Sequence, residues 1–200
     1  MSDQWHNFIM TFVPLFIVID ALGNLPFLIM AGEDLDRKQK NKIVNYAVLT
    51  ATIVGLVFLF LGQFILNIMG IDVQEFAIAG GIVLLVLSIM YMITGHMVRV
   101  VKEELVAIVP IGTPLTVGPA TIATLLLLAG RYPLYMVLIS FALNMAITWV
   151  IFFLSQRIAR FLGQGGLTAI SRVFSLLLAA IAVSMIIGGL KALGIISGGG

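Results

Sequence analysis

Asp20 is the only acidic residue well inside a long apolar run of this sequence. A carboxylate at the centre of a bilayer costs at least about 2.5 kcal/mol on the gentlest insertion scale, so such residues face the bundle interior and are candidates for function. Asn24 follows one helical turn later, with Gly23 beside it. Asp20 is therefore predicted to bind a substrate ammonium, a proton or Na⁺, or else to cap a broken helix.

A second irregular segment runs from Val109 to Pro119, where proline, glycine and threonine interrupt another apolar run. Proline removes a backbone donor and glycine tolerates positive φ, so both segments predict helices that unwind at membrane depth. Such backbone needs protein or a watery cavity around it, which makes the pair a pointer to a substrate site. Half-helix N-termini attract anions and C-termini attract cations, so two breaks can hold a zwitterion such as a free amino acid. The alternative is that proline and glycine only kink helices and permit close packing.

Both irregular segments contribute candidate residues. The predicted substrate-binding residues are Asp20, Gly23, Asn24, Gly112, Thr113, Thr116 and Gly118. The predicted helix-breaking residues are Pro14, Pro26, Pro110, Pro114 and Pro119. A polar stripe at i, i+4 and i+8 predicts either a transport pathway or interhelical hydrogen bonds, through Ser140, Asn144 and Thr148.

The elements that must position these residues are transmembrane helices. Hydrophobic residues make up 61% of the sequence and charged residues 10%, against about 25% charged in soluble domains. A helix needs roughly 20 apolar residues to cross a bilayer, and six such runs occur. They are Phe8 to Ala31, Ile43 to Met69, Phe76 to Val98, Leu105 to Ala129, Leu134 to Ser155, and Leu167 to Leu190. The fold class predicted is an all-α membrane protein of six helices, with the first and fourth interrupted.

The basic residues predict the orientation in the membrane. If six helices alternate, the loops after the first, third and fifth share one side, which collects nine Lys and Arg residues, Arg172 at the start of the last helix included. The opposite side has only Arg131 and Lys191. The positive-inside rule then places both termini outside the cytoplasm. The charged loop from Glu33 to Lys42 is interpreted as a solvated cytoplasmic turn.

The two halves of the chain resemble each other. Leu61 to Gly70 matches Leu154 to Gly163, and Pro14 falls opposite Pro110. Because each half has three helices, the second must insert upside down, which gives the inverted repeat of many secondary transporters. We therefore predict a single transmembrane domain over residues 1–200, with one repeat at about 6–99 and another at about 103–195. The alternative is that Leu/Ile-rich helices look alike by composition.

Several classes of function are disfavoured by what the sequence lacks. It has no cysteine, and it shows no nucleotide-binding loop, zinc signature or catalytic triad pattern. One carboxylate without a base, nucleophile or metal partner cannot perform the usual enzymatic roles. We expect no catalytic residue, no metal, no cofactor and no nucleic acid partner. The expected partners are a small substrate, a coupling H⁺ or Na⁺, the lipid bilayer and a second copy of the chain.

The segments Ile19 to Pro26 and Val109 to Pro119 closely resemble the MarC family of prokaryotic membrane proteins, and the likeness continues through Ala79-Gly80-Gly81 and Gly163 to Gly166. Ala21 stands where the family usually has proline, so unwinding of the first helix is less strongly implied than that of the fourth. The resemblance implies a six-helix group related to amino-acid exporters, some of whose members are assigned as transporters of small neutral amino acids.

Together these observations predict a secondary transporter of glycine-like or alanine-like amino acids in a prokaryotic inner membrane. Asp20 and Asn24 would bind the ammonium or a coupling cation. Thr113, Thr116 and the backbone around Gly112 and Gly118 would hold the carboxylate. The alternatives are an exporter of another small solute, or a non-transporting scaffold or stress-response protein in which the same residues only shape packing.

Overall fold

The computed structural model describes residues 2–25, 28–29, 36–94 and 116–196. All regular secondary structure in these ranges is helical, which confirms the all-α prediction. The helices are α1 (Ser2–Ile19), α2 (Arg37–Met69), α3 (Val73–Thr94), α4 (Pro119–Arg131), α5 (Leu134–Phe153) and α6 (Ser155–Ala192).

Four of these helices are long and apolar enough to cross a bilayer, within α2, α3, α5 and α6. Large apolar side chains face outward from them, including Phe64, Ile68 and Phe161, as expected where lipid replaces water. α4 is a shorter apolar helix, and α1 ends at Ile19. The two helices predicted to be interrupted are thus the two that contain none of the four long apolar spans. The arrangement as six spans in two inverted repeats stays a prediction.

α2 begins earlier than predicted. Asp36 caps it, because its carboxylate accepts from the backbone N–H of Gln39 at 2.7 Å while the Gln39 side chain accepts from the backbone N–H of Asp36 at 3.0 Å. This reciprocal capping box starts a helix even where the next residues are charged. The interpretation of residues 36–42 as a solvated turn is therefore wrong, since Arg37 to Lys42 form the first turns of α2.

Two further expectations about the helices are corrected. Pro14 was predicted to break a helix, but α1 continues through it to Ile19. The segment between the fifth and sixth predicted spans is helical rather than a loop, with one non-helical residue, Gly163. Gly163 has φ 63°, close to the φ 67° of Gly70, which ends α2. The sequence alignment pairs these two glycines, and both have the positive φ that glycine tolerates best, although Gly70 has ψ 27° and Gly163 has ψ 176°.

α4 lies at the centre of the bundle. Its apolar side chains enter one buried cluster with α1, α2 and α5, and a second cluster with α1, α3 and α6. A helix that is apolar all round belongs in such an interior position. A third cluster packs the turn after α1, through Ala21 and Leu25, against α2, Phe152 of α5 and Leu167 of α6.

α3 and α6 pack at very short range in antiparallel directions. A Cβ at Gly81 would lie 2.8 Å from the carbonyl oxygen of Ala182, and one at Gly189 would lie 2.9 Å from the carbonyl oxygen of Gln74. Glycine at these positions lets the two backbones approach, which is how membrane helices gain contact without a hydrophobic driving force.

Candidate functional site

The first break of the chain lies at Asp20. Its φ of 47° is the one left-handed value among the described non-glycine residues. Residues with a Cβ rarely adopt this backbone region because the Cβ approaches the following carbonyl oxygen. Aspartate and asparagine tolerate it better than other non-glycine residues. α1 ends here, and residues 21–24 form a turn before helical backbone resumes at Leu25. The predicted interruption of the first helix is therefore present, with alanine rather than proline at position 21.

The side chain of Asp20 is buried and caps the turn that follows it. Asp20 is 5% exposed, and its Oδ1 accepts a hydrogen bond from the backbone N–H of Gly23 at 3.0 Å. That is the geometry of a helix N-cap. A Cβ at Gly23 would overlap the Asp20 carboxylate, so a side chain at this position would displace the carboxylate from its capping position. No ion pair to Asp20 occurs among the described residues.

Asn24 completes the turn on the same side. Its backbone N–H donates to the carbonyl oxygen of Asp20 at 3.0 Å, and its Nδ2 donates to the carbonyl oxygen of Ile19 at 3.2 Å. The residue is 3% exposed. The Oδ1 atom of Asn24 is buried and has no hydrogen-bond partner in the described part of the chain. It therefore offers a buried acceptor within the turn that follows Asp20.

The start of α4, in contrast to the turn after Asp20, has no side-chain cap. Gly118 is the N-cap residue, with φ −89° and ψ −175°, and it supplies no side-chain hydrogen bond to the helix. Pro119 takes the first helical position, where its missing N–H costs nothing, so it begins α4 rather than breaking it. The N–H groups of the first turn and the positive end of the helix dipole thus face the extended residues before α4.

Thr116 stands at this helix start. It is 3% exposed, and its carbonyl oxygen accepts from the hydroxyl of Thr121 at 3.2 Å. Its own Oγ1 is buried without a partner in the described residues. The segment therefore presents an unused hydroxyl together with uncapped amides, a combination suited to a carboxylate.

Residues beside the two breaks share buried clusters. Ile19 and Val117 belong to one buried cluster, while Val18 and Ala120 belong to another. The residues directly before Asp20 and directly around Gly118 are thus parts of the same core. The carbonyl end of α1 and the amide end of α4 both border this core, so opposite partial charges are available there.

The polar stripe of α5 packs along α1. Ser140 Oγ and Thr11 Oγ1 share a buried hydrogen bond of 2.7 Å. Asn144 Nδ2 donates to the carbonyl oxygens of Phe12, at 3.2 Å, and Ser140, at 2.8 Å. Interhelical hydrogen bonding, one of the two predicted roles, is therefore present. Asn144 Oδ1 nevertheless has no partner in the described residues, and Thr148, one turn on, is also buried.

Several predicted site residues lie outside the described residues: Pro26, Pro110, Gly112, Thr113 and Pro114. Within the described ranges, no three His, Cys, Asp or Glu side chains gather as a metal site would require. Sequence reasoning missed Thr11 and Thr121. Thr11 precedes Leu15 and Ile19 at spacings of four, which would have placed it on the buried face of α1. Thr121 is a polar residue in the first turn of a mainly apolar helix.

Comparison with known proteins gives consistent matches over almost the full chain. The model of the MarC family, integral membrane proteins, matches residues 5–194. The UPF0056 inner membrane protein YhgN of Escherichia coli is 33% identical over 184 residues, covering 90% of this chain and 93% of YhgN. A UPF0056 membrane protein of Buchnera aphidicola is 32% identical, covering 94% and 97%. An archaeal relative from Methanocaldococcus jannaschii is 28% identical, covering 92% and 96%. No solved structure matches this chain.

Proposed function

The chain belongs to the MarC family of integral membrane proteins, and we propose that it is a secondary transporter of small neutral amino acids, with the substrate bound between the break at Asp20 and the start of α4. The observation that carries this proposal is a set of three buried polar atoms. Asn24 Oδ1, Thr116 Oγ1 and Asn144 Oδ1 lack partners in the described residues, and all three belong to residues that the sequence assigned to a site or pathway.

Leaving a buried acceptor or hydroxyl without a partner costs about 1–3 kcal/mol. In a bundle whose outer face meets lipid, that cost is tolerable where a ligand or water reaches the group. Groups that only shaped packing would be expected to satisfy each other, as Thr11 and Ser140 do. The three atoms therefore favour a binding site over a purely structural use of the same residues.

The charges around the two breaks suit a zwitterion. Asp20 and the acceptor of Asn24 would receive the ammonium group or a coupling H⁺ or Na⁺. The amides at the start of α4 and the hydroxyl of Thr116 would receive the carboxylate. Neither break carries a long cationic side chain, so a net-neutral substrate is better accommodated than an anion. We propose equally that the chain catalyses no reaction and holds no resident cofactor.

The proposal includes the architecture and location. We infer six spans in two inverted repeats in a prokaryotic inner membrane, with both termini outside the cytoplasm. The positive φ at both of the paired glycines, Gly70 and Gly163, supports the repeat. The name of the E. coli relative, an inner membrane protein, supports the location. The distribution of Lys and Arg supports the orientation.

The first experiment is uptake of labelled glycine and alanine into proteoliposomes under imposed H⁺ or Na⁺ gradients. Asp20→Asn is the informative variant, because an amide oxygen can still accept from the Gly23 N–H while the charge is lost. Asp72→Asn is the matched control, since Asp72 is an exposed carboxylate at the turn between α2 and α3. We expect gradient-driven uptake in the wild type and the control, and its loss in Asp20→Asn.

The other outcomes assign the residues differently. Uptake that survives Asp20→Asn would retain a transporter and reduce Asp20 to the cap seen at Gly23. No uptake by well-folded wild type, with either gradient and a panel of amino acids, would overturn amino-acid transport and favour another solute or a scaffold.

A further inference from the structure

A cavity of about 560 Å³ lies where α2 begins and where α5 passes into α6. We refer to it as the basic pocket. Its lining residues are Leu28, Ile29, Arg37, Lys40, Asn41, Ile43, Val44, Phe152, Phe153, Leu154, Ser155, Gln156, Arg157 and Arg160. It lies away from the start of α4, since no residue of 116–131 lines it, and the proposed transport site does not use it.

The pocket concentrates positive charge. Four cations line it, and no acidic residue is among the described lining residues. The nearest carboxylate in sequence, Asp36, is occupied by the capping box with Gln39. No ion pair to any of the four cations occurs in the described part of the chain. Four like charges around one cavity repel each other unless an anion lies between them.

The backbone adds to this charge. α6 begins at Ser155, directly in the pocket wall, and its N-cap residue Leu154 supplies no side-chain hydrogen bond. The backbone N–H of Arg157 donates to the carbonyl oxygen of Leu154 at 2.9 Å, so the N–H groups available at the positive end of the dipole are those that precede it. Asn41 and Gln156 contribute neutral polar groups. The remaining wall is apolar, from Ile43, Val44 and Phe152 among others.

We propose that the basic pocket binds a phosphate group, either the headgroup of an anionic phospholipid or a soluble phosphate compound. Basic pockets between transmembrane helices on the cytoplasmic side are suited to lipid headgroups, and the Lys and Arg distribution predicts that side for this pocket. The combination of a cationic rim with an apolar wall matches a phosphate joined to a glycerol backbone. Arginine at two positions of one helix turn allows bidentate phosphate contacts.

Native mass spectrometry of the detergent-solubilised full chain tests the proposal. The chain is titrated with phosphatidylglycerol and with zwitterionic phosphatidylethanolamine, and separately with phosphatidylglycerol in the presence of inorganic phosphate or glycerol 3-phosphate. We expect retained phosphatidylglycerol adducts and weak phosphatidylethanolamine adducts. The variant Arg157→Gln/Arg160→Gln should bind phosphatidylglycerol about thirtyfold more weakly.

Lys38→Gln/Lys42→Gln is the charge-matched control. Both lysines lie at the same end of α2 but neither lines the pocket, and the Lys42 ammonium lies over the Tyr46 ring, 5.8 Å from its centroid. This variant should bind phosphatidylglycerol nearly as the wild type does. Equal losses in the two double variants would overturn a defined site in favour of diffuse surface charge, as would equal binding of the two lipids by the wild type without adducts of glycerol 3-phosphate. Adducts of glycerol 3-phosphate that need Arg157 and Arg160, without a lipid preference, would support the phosphate site and assign it to a soluble ligand.

Discussion

The break at Asp20 and the start of α4 differ in whether a side chain caps the backbone N–H groups that follow. At Asp20 the chain caps itself, since one side chain accepts from Gly23 and the Asn24 amide donates back to Ile19. At the start of α4 no side chain caps the helix, and the Thr116 hydroxyl has no partner in the described residues. The first break therefore has a geometry that its own residues fix. The second has hydrogen-bonding capacity left for a ligand.

The largest effect is expected where a glycine is sterically required. Gly23→Ala would place a Cβ on the Asp20 carboxylate, so the carboxylate must move away from the Gly23 N–H that it caps. We expect the free energy of unfolding in mixed detergent micelles to fall by about 2–3 kcal/mol. Gly118→Ala is the control, because nothing described lies within 4 Å of its Cβ and its φ suits alanine. Its stability should change by less than about 1 kcal/mol.

The pair of glycine variants also tests what the space at Gly118 is for. If the start of α4 receives the substrate carboxylate, Gly118→Ala should fold normally yet lose substrate affinity. Equal stability losses at Gly23 and Gly118 would contradict the contrast between a closed break and an open one.

A smaller effect is expected from separating the conformation of Asp20 from its charge. Asp20→Ala loses the acceptor for the Gly23 N–H and places alanine at φ 47°, which should cost about 2 kcal/mol. Asp20→Asn keeps both features and should remain within about 1 kcal/mol of the wild type. Chemical unfolding of both variants, followed by circular dichroism, measures the difference. Similar losses for the two would mean that the charge itself stabilises the turn.

At the start of α4 we expect a substitution to leave stability unchanged or to raise it, rather than to lower it. Thr116→Val removes a buried hydroxyl that has no described partner and retains the side-chain shape. We expect stability in the absence of substrate to be unchanged or to rise by up to about 1 kcal/mol, while substrate affinity falls roughly tenfold. Substrate-dependent thermal shifts measure both quantities. A clear loss of stability would show that the hydroxyl is already satisfied within the protein.

The smallest effect on stability is expected from removing the hydrogen bond that joins α1 to α5. Ser140→Ala removes the buried bond to Thr11 between α5 and α1, which should cost about 0.6 kcal/mol, the average for such bonds in membrane bundles. Ser88→Ala removes a bond to Leu84 within the same helix and should cost less. The two variants are compared by unfolding under identical detergent conditions. A larger loss for Ser88→Ala would argue against interhelical anchoring of α1.

The sequence predicted the helical class and the two irregular places because proline, glycine and an intramembrane carboxylate act locally. The break at Asp20, the position of Gly118 before α4 and the buried face of Ser140, Asn144 and Thr148 all follow from short-range patterns. Which alternative each residue adopts does not. Whether Asp20 caps a turn depends on the position of Gly23 relative to it in three dimensions, and the partner of Ser140 lies 129 residues away.

Helix boundaries were the weaker part of the prediction, and each error has a physical cause. Pro14 lies within α1 without ending it, since neighbouring helices can stabilise a proline-containing turn in a bundle. Arg37 to Lys42 are helical because a cap and good helix formers outweigh their polarity. A bilayer sets the length of the apolar core of a helix, whereas the helix itself can extend beyond it.

The close contact of α3 with α6 has a mechanical consequence. Where Gly81 faces the Ala182 carbonyl and Gly189 faces the Gln74 carbonyl, sliding either helix by one residue would push a side chain into the partner's backbone. The pair therefore resists sliding of one helix along the other. If the protein transports a substrate as proposed, we expect the movement to leave the contact between α3 and α6 intact.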